Sequence, residues 1–441
     1  MTERAEAWLL HAGPPGAAGE LVRDTITLPE LTGDRLLVEP LFGCWGGNMT
    51  HALERRPADI CRQRGEPWVV LGNAAVVRIL RASPDLPAAS AARHDLTAPR
   101  HDLTTSAARH DLTAPRHDLA ASVARHDLAA PRHDPPAARP APRAPDPADL
   151  RPGRLALLFS TSEADRHGYT VKAFAYDAPG TIGCLARRTV VRAHELLPLP
   201  EPTRHALPRW AAFSGSSITA WSNWELAHGV LRLQLGADEL PAPHVWGWGG
   251  GTTLAELALA RRHGCRTVQL SADPARRAAI ARAGVTPLER EPALSFDEGK
   301  FAGDLAFRRA YLDAEARFLR EVERRTDGDG VHIFVDYLGQ PVHRATLKAL
   351  AREGVITSAG WKLGMQLGHL RAAECIQRHQ HIHTHYARYP QGVAATAYAE
   401  ANDWLPEADP QIFDFDAIPE LARRYAAGEL GFYPTFAPNP T

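Results

Sequence analysis

The chain has 441 residues, which suits two or more domains. Its 50 Lys and Arg against 51 Asp and Glu leave no basic excess, which argues against a nucleic-acid or polyanion binder. The apolar content is ordinary for a globular enzyme. No apolar run reaches the roughly 18 residues that a spanning helix needs, so no membrane association is expected.

The opening MTERAEAWLLHAG mixes charges with a short apolar patch and does not read as a secretory signal. Residues 20–82 and 150–200 read as strands, because DRLLVEPLFGC, PWVVLGNAAVVRIL and RLALLFS are apolar or β-branched runs bounded by Gly, Pro and Asp. Between them, from Ala92, the 16-residue unit ARHDLTAPRHDLTTSA is repeated three times, with RHD starting at Arg93, Arg100, Arg109, Arg116, Arg125 and Arg132. Large apolar residues are few and proline recurs, so residues 88–149 are expected to form a disordered surface insert. Its six histidines leave metal binding as the other reading. Cys44, Cys61, Cys184, Cys265 and Cys375 are odd in number and scattered, as in a reduced cytoplasmic chain.

After residue 205 the character changes. WAAFSGSSITAWSNWELAHGVL reads as a helix, PHVWGWGG as a short buried strand and TLAELALARRHG as an amphipathic helix. RTVQLS is a strand, PARRAAIARAG a helix opening on Pro274, and VHIFVDYLG a strand. HRATLKALAREG is a helix closed by Gly354, and VITSAG a strand. Strands alternating with helices predict a parallel sheet covered on both faces. A charged stretch, Glu289–Asp329, interrupts the alternation. Within it Tyr311, Leu312, Phe318, Leu319 and Val322 are spaced like a packed helix face.

The cluster HVWGWGGGTT, His244–Thr253, thus falls between a buried strand and a helix. That is the context of a nucleotide turn, where glycine lets the backbone approach a pyrophosphate and the helix N-terminus offers N–H groups. A glycine-rich loop that binds nothing is the alternative.

Along these segments the chain resembles the medium-chain dehydrogenase/reductase superfamily. It is most similar to the zinc-free branch of quinone oxidoreductases, enoyl-thioester reductases and crotonyl-CoA carboxylase/reductases. Gly247, Gly250 and Gly251 match the family turn G-x-x-G-G-x-G, and Thr253 replaces its last glycine. VDYLGQPVHRATLKALAREGVITSAG matches a family run through Asp336, Gly339, Gly354 and Gly360. Thr219-Ala220 matches the pair that enters the linking helix, and LVEPLFGCWGGNMTHAL with VVLGNAAVVRIL resembles the GroES-like substrate domain. The resemblance implies an α/β chain: a GroES-like β-rich substrate domain over residues 1–210, carrying the insert 88–149, and a Rossmann-type nucleotide-binding domain over 211–370, carrying the insert 289–329. Residues 371–441 would return to the substrate domain. A homodimer is expected from the same resemblance and from base rates.

Departures from the family sharpen the site. Zinc alcohol dehydrogenases carry His-Glu after the glycine of the second segment, whereas Gly72 is followed by Asn73 and Ala74, and the four-cysteine zinc lobe is absent. Cys44, His51 and Cys61 supply at most a partial ligand set, so no metal is expected. Gly47-Asn48 resembles a motif that places Asn near the nicotinamide, where its amide can orient or polarise the substrate. Met49 stands where many enoyl reductases carry a proton-donating Tyr. His385 matches a histidine of the carboxylase/reductases, so His385, or else Tyr386, is a candidate for proton delivery. A His-rich strand with alternate residues facing water is the other reading.

The nucleotide is read from RTVQLSADPARR. Ser271 occupies the place of the carboxylate that grips the ribose of NAD, and Arg276 that of a lysine contacting the extra phosphate, so NADPH is expected. Asp273 is alternatively the N-cap of the following helix, and Arg277 a solvated helix residue. Thr219, Thr252, Thr253 and Gly360 complete the expected cofactor contacts, with the two threonine hydroxyls reaching phosphate. The expectation is an NADPH-dependent, zinc-independent reductase that delivers hydride to an enoyl thioester or an α,β-unsaturated carbonyl. An alcohol dehydrogenase or carbonyl reductase, a reductive carboxylase of enoyl-CoA and a non-catalytic nucleotide-binding relative are the alternatives. Trp45, Trp221, Trp224, Trp246 and Trp248 either face a flat or apolar substrate or simply pack.

Overall fold

A computed structural model describes residues 3–14, 17–56, 58–86, 146–358, 378–384 and 386–439. The first part is antiparallel sheet. β1 (Arg4–His11), β2 (Leu21–Thr27) and β4 (Trp68–Val69) form a three-stranded sheet in the order β2-β1-β4. β3 (Arg35–Cys44), β5 (Ala75–Ala82), β6 (Leu155–Leu158), β9 (Thr189–Arg192) and β10 (Leu196–Pro198) build a larger one, and β7 (Thr161–Ala164) with β8 (Thr170–Ala173) makes a small ribbon. β5 and β6 are hydrogen-bonded neighbours, with Val77 opposite Ala156. The RHD repeat is therefore the connection between two adjacent strands, and it lies outside the described residues. Two short helices, α1 (Gly47–Leu53) and α2 (Ile60–Arg64), pack against this half. Asp59 caps α2 by accepting from Cys61 N and Arg62 N.

Helix α3 (Leu207–Gln234) joins the halves. Pro208 opens it, and Trp210, Phe213, Trp224 and Leu231 are buried along it. It packs on β3 and β5 on one side and on the parallel sheet on the other. Thr219 lies in its middle rather than at its entrance, because the helix already begins twelve residues earlier, at Leu207.

The second sheet has six strands, all parallel: β11 (His244–Trp248), β12 (Arg266–Ser271), β13 (Thr286–Glu289), β14 (Val331–Asp336), β15 (Leu350–Ser358) and β16 (His381–Thr384), in the order β13-β12-β11-β14-β15-β16. Alternation along β11 splits the core in two. Val245 faces the cluster of α4 (Gly251–Arg262) and α5 (Pro274–Arg282). Trp246 and Trp248 face the cluster of α7 (Leu305–Thr326) and α8 (Gln340–Ala349), with the short α6 (Glu298–Gly303) preceding α7.

The structure departs from the sequence reading at several points. The charged stretch is the crossover from β13 to β14, and α7 is the layer that the Trp face of the sheet requires. Tyr311, Phe318 and Val322 are buried as the spacing predicts, but Leu312 is exposed. The edge strand β13, short and containing Pro287, goes unseen in the sequence because proline weakens a strand pattern. The helix ending in AREG stops at Ala349 instead of Gly354. Leu350 pairs with Val331, so burial in the sheet overrides the helical propensity of ALARE. The sixth parallel strand also comes from beyond residue 370.

After β16 the chain forms α9 (Tyr389–Asn402), which packs on α3. It then supplies β17 (Ile412–Asp414), α10 (Ile418–Ala426) and β18 (Thr435–Ala437). β18 pairs with β3, Thr435 opposite Cys44, so the C-terminal strands complete the first domain's sheet. Among the described residues no helix is long and apolar enough to cross a membrane.

Candidate functional site

The glycine turn follows β11 at the carboxyl edge of the parallel sheet. Gly247 sits inside the strand, and a Cβ there would lie 2.9 Å from Val335 O, so only glycine permits this strand spacing. Gly249 turns the chain at φ +149°, in the region that favours glycine. Sequence matching passed over this residue; the run of three consecutive glycines was the available signal. Gly250 is exposed, and a Cβ there would meet nothing within 4 Å. It is the N-cap of α4 and provides no side-chain cap, so the first N–H groups of the helix have no side-chain acceptor. Open space, a bare backbone and a helix N-terminus fit an anionic pyrophosphate.

Thr253 does not face that space. It is fully buried, its Cγ2 packs under Gly247, and its hydroxyl donates to Trp248 O at 3.4 Å. The residue replacing the family glycine thus fills the gap between strand and helix, and of the two threonines only the half-buried Thr252 remains beside the turn. The C-terminal segment closes the other flank. Tyr433 donates its hydroxyl to Gly251 O at 2.6 Å and lays its ring on Gly251.

At the end of β12, Ser271 Oγ accepts from Asp273 N at 3.3 Å, and Asp273 caps α5 by accepting from Ala275 N at 2.8 Å. The capping alternative for Asp273 is the observed one. The two arginines divide differently from the expectation. Arg276 donates to Leu430 O at 3.4 Å and stacks over Phe432, toward the C-terminal segment. Arg277 donates to Ser271 O at 3.0 Å and to Ala272 O at 2.9 Å, which holds its guanidinium at the turn after β12.

The sheet end is braced by a buried relay. Trp248 Nε1 donates to Thr346 Oγ1 at 3.0 Å, and Thr346 donates to Asp336 Oδ2 at 3.0 Å. Asp336 Oδ1 accepts from Leu338 N and Gly339 N. Behind the turn, Tyr337 donates to Glu256 at 3.1 Å. Burial holds the Glu256 carboxyl well above the usual range, against the opposing effect of the tyrosine bond. A polar pair of this kind, one residue on a helix and one at a strand end, carries no spacing signal in sequence.

In the first domain, Asn48 lies in the first turn of α1. Its Oδ1 accepts from Met49 N at 2.9 Å and its Nδ2 donates to Asn73 Oδ1 at 3.1 Å. Trp45, three residues earlier, donates its backbone N–H to Pro434 O at 2.9 Å, one residue from the Tyr433 that covers Gly251. The C-terminal segment thus touches both the loop before α1, at Trp45, and the glycine turn, at Gly251, while Ala74, next to Asn73, packs on Gly215 of α3. Cys44 and Cys61 are buried. Desolvation drives both thiols up, that of Cys61 to about 11, and Cys61 Sγ donates to Leu10 O. Among the described residues no three His, Cys, Asp or Glu side chains are grouped to hold a metal.

His385 and Gly360 lie outside the described residues. Tyr386 is half-exposed, and desolvation first, then the charge of Asp177, raises its pKa. His381 bonds to Gln234 at 2.8 Å and stacks on His383. Trp45, Trp224, Trp246 and Trp248 are all buried core residues, which leaves only the half-buried Trp221 near any surface. Packing, and not a flat substrate, accounts for those four.

No protein-family model matches the sequence, and no curated protein is similar to it. Solved structures do match. A 2-octenoyl-CoA carboxylase reductase in complex with NADP and 2-octenoyl-CoA superposes with a TM-score of 0.70 at 16% identity, over 100% of this chain and 90% of that one. The fold is that of the medium-chain dehydrogenases/reductases. A crotonyl-CoA carboxylase/reductase in complex with NADP gives 0.68 at 15% identity, over 98% and 94% of the two chains. An alcohol dehydrogenase from Thermotoga maritima gives 0.65 at 14% identity, over 99% and 100%. The medium-chain fold thus spans the whole chain, with both halves in their expected classes.

Proposed function

We propose that the chain is an NADPH-dependent, zinc-independent reductase that delivers hydride to an activated alkene, an enoyl thioester or an α,β-unsaturated carbonyl. The observation that carries this reading is the N-terminus of α4, which has no side-chain cap, at a Gly250 with open space in front of it. The glycine turn would hold the pyrophosphate, with Thr252 beside it. Ser271, Arg277 and Arg276 would accommodate the 2′-phosphate, since no carboxylate at position 271 repels it. NADPH supplies the hydride when bound. The carboxamides fix the substrate carbonyl, and His385 or Tyr386 hands a proton to the carbon next to it.

Neighbours crystallised with NADP, one of them also with 2-octenoyl-CoA, support a nicotinamide cofactor and an acyl-thioester substrate. Asn73 at the place of a zinc-binding histidine supports zinc independence. A carbonyl reductase is the second reading, favoured by the alcohol dehydrogenases that share the fold. The chain would act as a homodimer in the cytoplasm. Absorbance at 340 nm, followed with 2-octenoyl-CoA, enones, quinones and ketones, tests the proposal. Oxidation of NADPH by an alkene acceptor supports it, and oxidation by ketones alone selects the second reading. NADPH that binds and is never oxidised indicates a non-catalytic relative. Tighter NADH than NADPH overturns the assignment of Ser271 and the arginines.

A further inference from the structure

We propose that Asn73 is the catalytic hydrogen-bond donor to the substrate's carbonyl oxygen, and that Asn48 is the positioning residue that aims it. This rests on the reductase reading above.

A backbone N–H can only donate. Met49 N–H donates to Asn48 at 2.9 Å, so the atom facing it is the carbonyl oxygen Oδ1. Asn48 Nδ2 then lies on the opposite side of the carboxamide, where it donates at 3.1 Å to Asn73. The partner atom on Asn73 must be its oxygen. One backbone group thereby fixes the orientation of two amides in series, and the end of the pair is Asn73 Nδ2 with two N–H groups. No acceptor for them is recorded among the described residues. Asn48 has its oxygen and one N–H engaged, so Asn73 and not Asn48 presents the stronger donor.

Asn73 is half-buried, and its backbone is clamped on both sides. Gly72 adopts φ +103° against Cys184, whose N–H donates to Gly72 O at 2.8 Å. Ala74 O accepts from Cys44 N at 3.0 Å, and Ala74 packs on Gly215. Neither neighbour can shift without breaking a backbone hydrogen bond. A donor on such a frame loses little freedom when it engages a ligand.

The chemistry needs such a donor. In alkene reduction the hydride pair forms a C–H bond at the β-carbon, and the C=C π pair moves to join the α-carbon to the carbonyl carbon. The carbonyl π pair ends on oxygen as an enolate. The α-carbon then takes a proton, and the C=O bond reforms. Charge grows on oxygen only during this step, and fixed neutral N–H groups stabilise it. An amide remains uncharged across the pH range, so this contribution does not titrate.

The test uses 2-octenoyl-CoA carrying 13C at the thioester carbonyl. In wild type the bound C=O stretch should shift to lower frequency, and NADPH should be oxidised. Asn73→Ala should lose the shift and lower kcat about 100-fold, with NADPH Kd within twofold of wild type. Asn48→Asp cannot donate to Asn73, which lets the Asn73 amide rotate. It should lose the same shift with its melting temperature retained, which a merely structural residue would not do. If Asn73→Ala does not fold, Asn73→Ser provides the same comparison. A wild-type shift and kcat within threefold in a folded Asn73 variant overturns the assignment and leaves the reductase reading intact. No turnover by wild type with any carbonyl-bearing alkene overturns both.

Discussion

The hydroxyl of Tyr433 donates to Gly251 O at 2.6 Å, and its ring lies on the Gly251 Cα. A residue of the C-terminal segment, eight positions before Thr441, thus seals one flank of the turn proposed to hold the pyrophosphate. The adjacent Gly250 has nothing within 4 Å of its Cβ direction, so the two glycines separate folding from binding. Gly250→Ala should melt within about 2 °C of wild type and bind NADPH at least about tenfold more weakly, because the methyl occupies the approach to the backbone. Gly251→Ala would place its methyl 2.5 Å from Tyr433 Cε1 and 2.9 Å from Phe432 O. It should lose about 1–3 kcal/mol of stability as well as affinity. Thermal melts and fluorescence titration with NADPH distinguish the two.

Thr253→Gly restores the family residue, yet it should harm the protein. It removes a side chain packed under Gly247 and a hydroxyl bonded to Trp248 O, and it puts glycine in a helix. We expect a loss of about 1–2 kcal/mol by urea denaturation, with unchanged NADPH affinity. Affinity that rises would mean that Thr253 distorts the turn.

Nucleotide choice should depend on the end of β12. Ser271→Asp introduces a carboxylate at the proposed phosphate position and should weaken NADPH about tenfold or more while sparing NADH. Arg277→Ala should also lower the NADPH preference, since it removes a guanidinium anchored to Ser271 O and Ala272 O. Isothermal titration with both nucleotides reads the ratio.

His332 should set an acid limb of stability. It accepts His244 N–H on Nδ1 at 3.1 Å, which requires the neutral ring, and burial lowers its pKa to about 4. The unfolded histidine titrates near 6.5, so between about pH 6.5 and 4 the unfolded state binds the extra proton. Stability is complete above pH 6.5 and falls with acidification by up to about 3 kcal/mol. His332→Asn keeps an acceptor and does not titrate, so its denaturation midpoint should stay flatter over that window.

The RHD repeat connects β5 to β6, which are already hydrogen-bonded neighbours. Replacing residues 90–145 with a short Gly/Ser linker should leave folding and turnover intact, since loop length costs little closure entropy. A folded deletion variant without activity would falsify the view of this segment as a tolerated insert.

Much of this molecule was written locally. Apolar and β-branched runs bounded by Gly, Pro and Asp marked β3, β5 and β6, and the strand–glycine–helix order at His244–Thr253 marked the glycine turn, because those signals depend on neighbours in the chain. The capping role of Asp273 was legible for the same reason: a side chain reaching the next two N–H groups needs no tertiary partner. What depended on distant partners was not legible. ALARE reads as helix, but β15 begins at Leu350, which pairs with Val331. Thr252 and Thr253 are chemically identical, and only helix phase decides that one is buried under Gly247 and the other left beside the turn. Arg276 and Arg277 differ by one position, which on a helix is about 100° of rotation and here means different partners. The Asn48–Asn73 pair joins residues 25 apart, one in the first turn of α1 and one in the loop before β5, and its polarity is set by Met49 N–H, a direction no residue type encodes. Sequence by itself determined most of the elements and the place of the glycine turn between a buried strand and a helix. The tertiary structure decided which side chains face the cleft, because facing is a property of packing against residues far away in the chain.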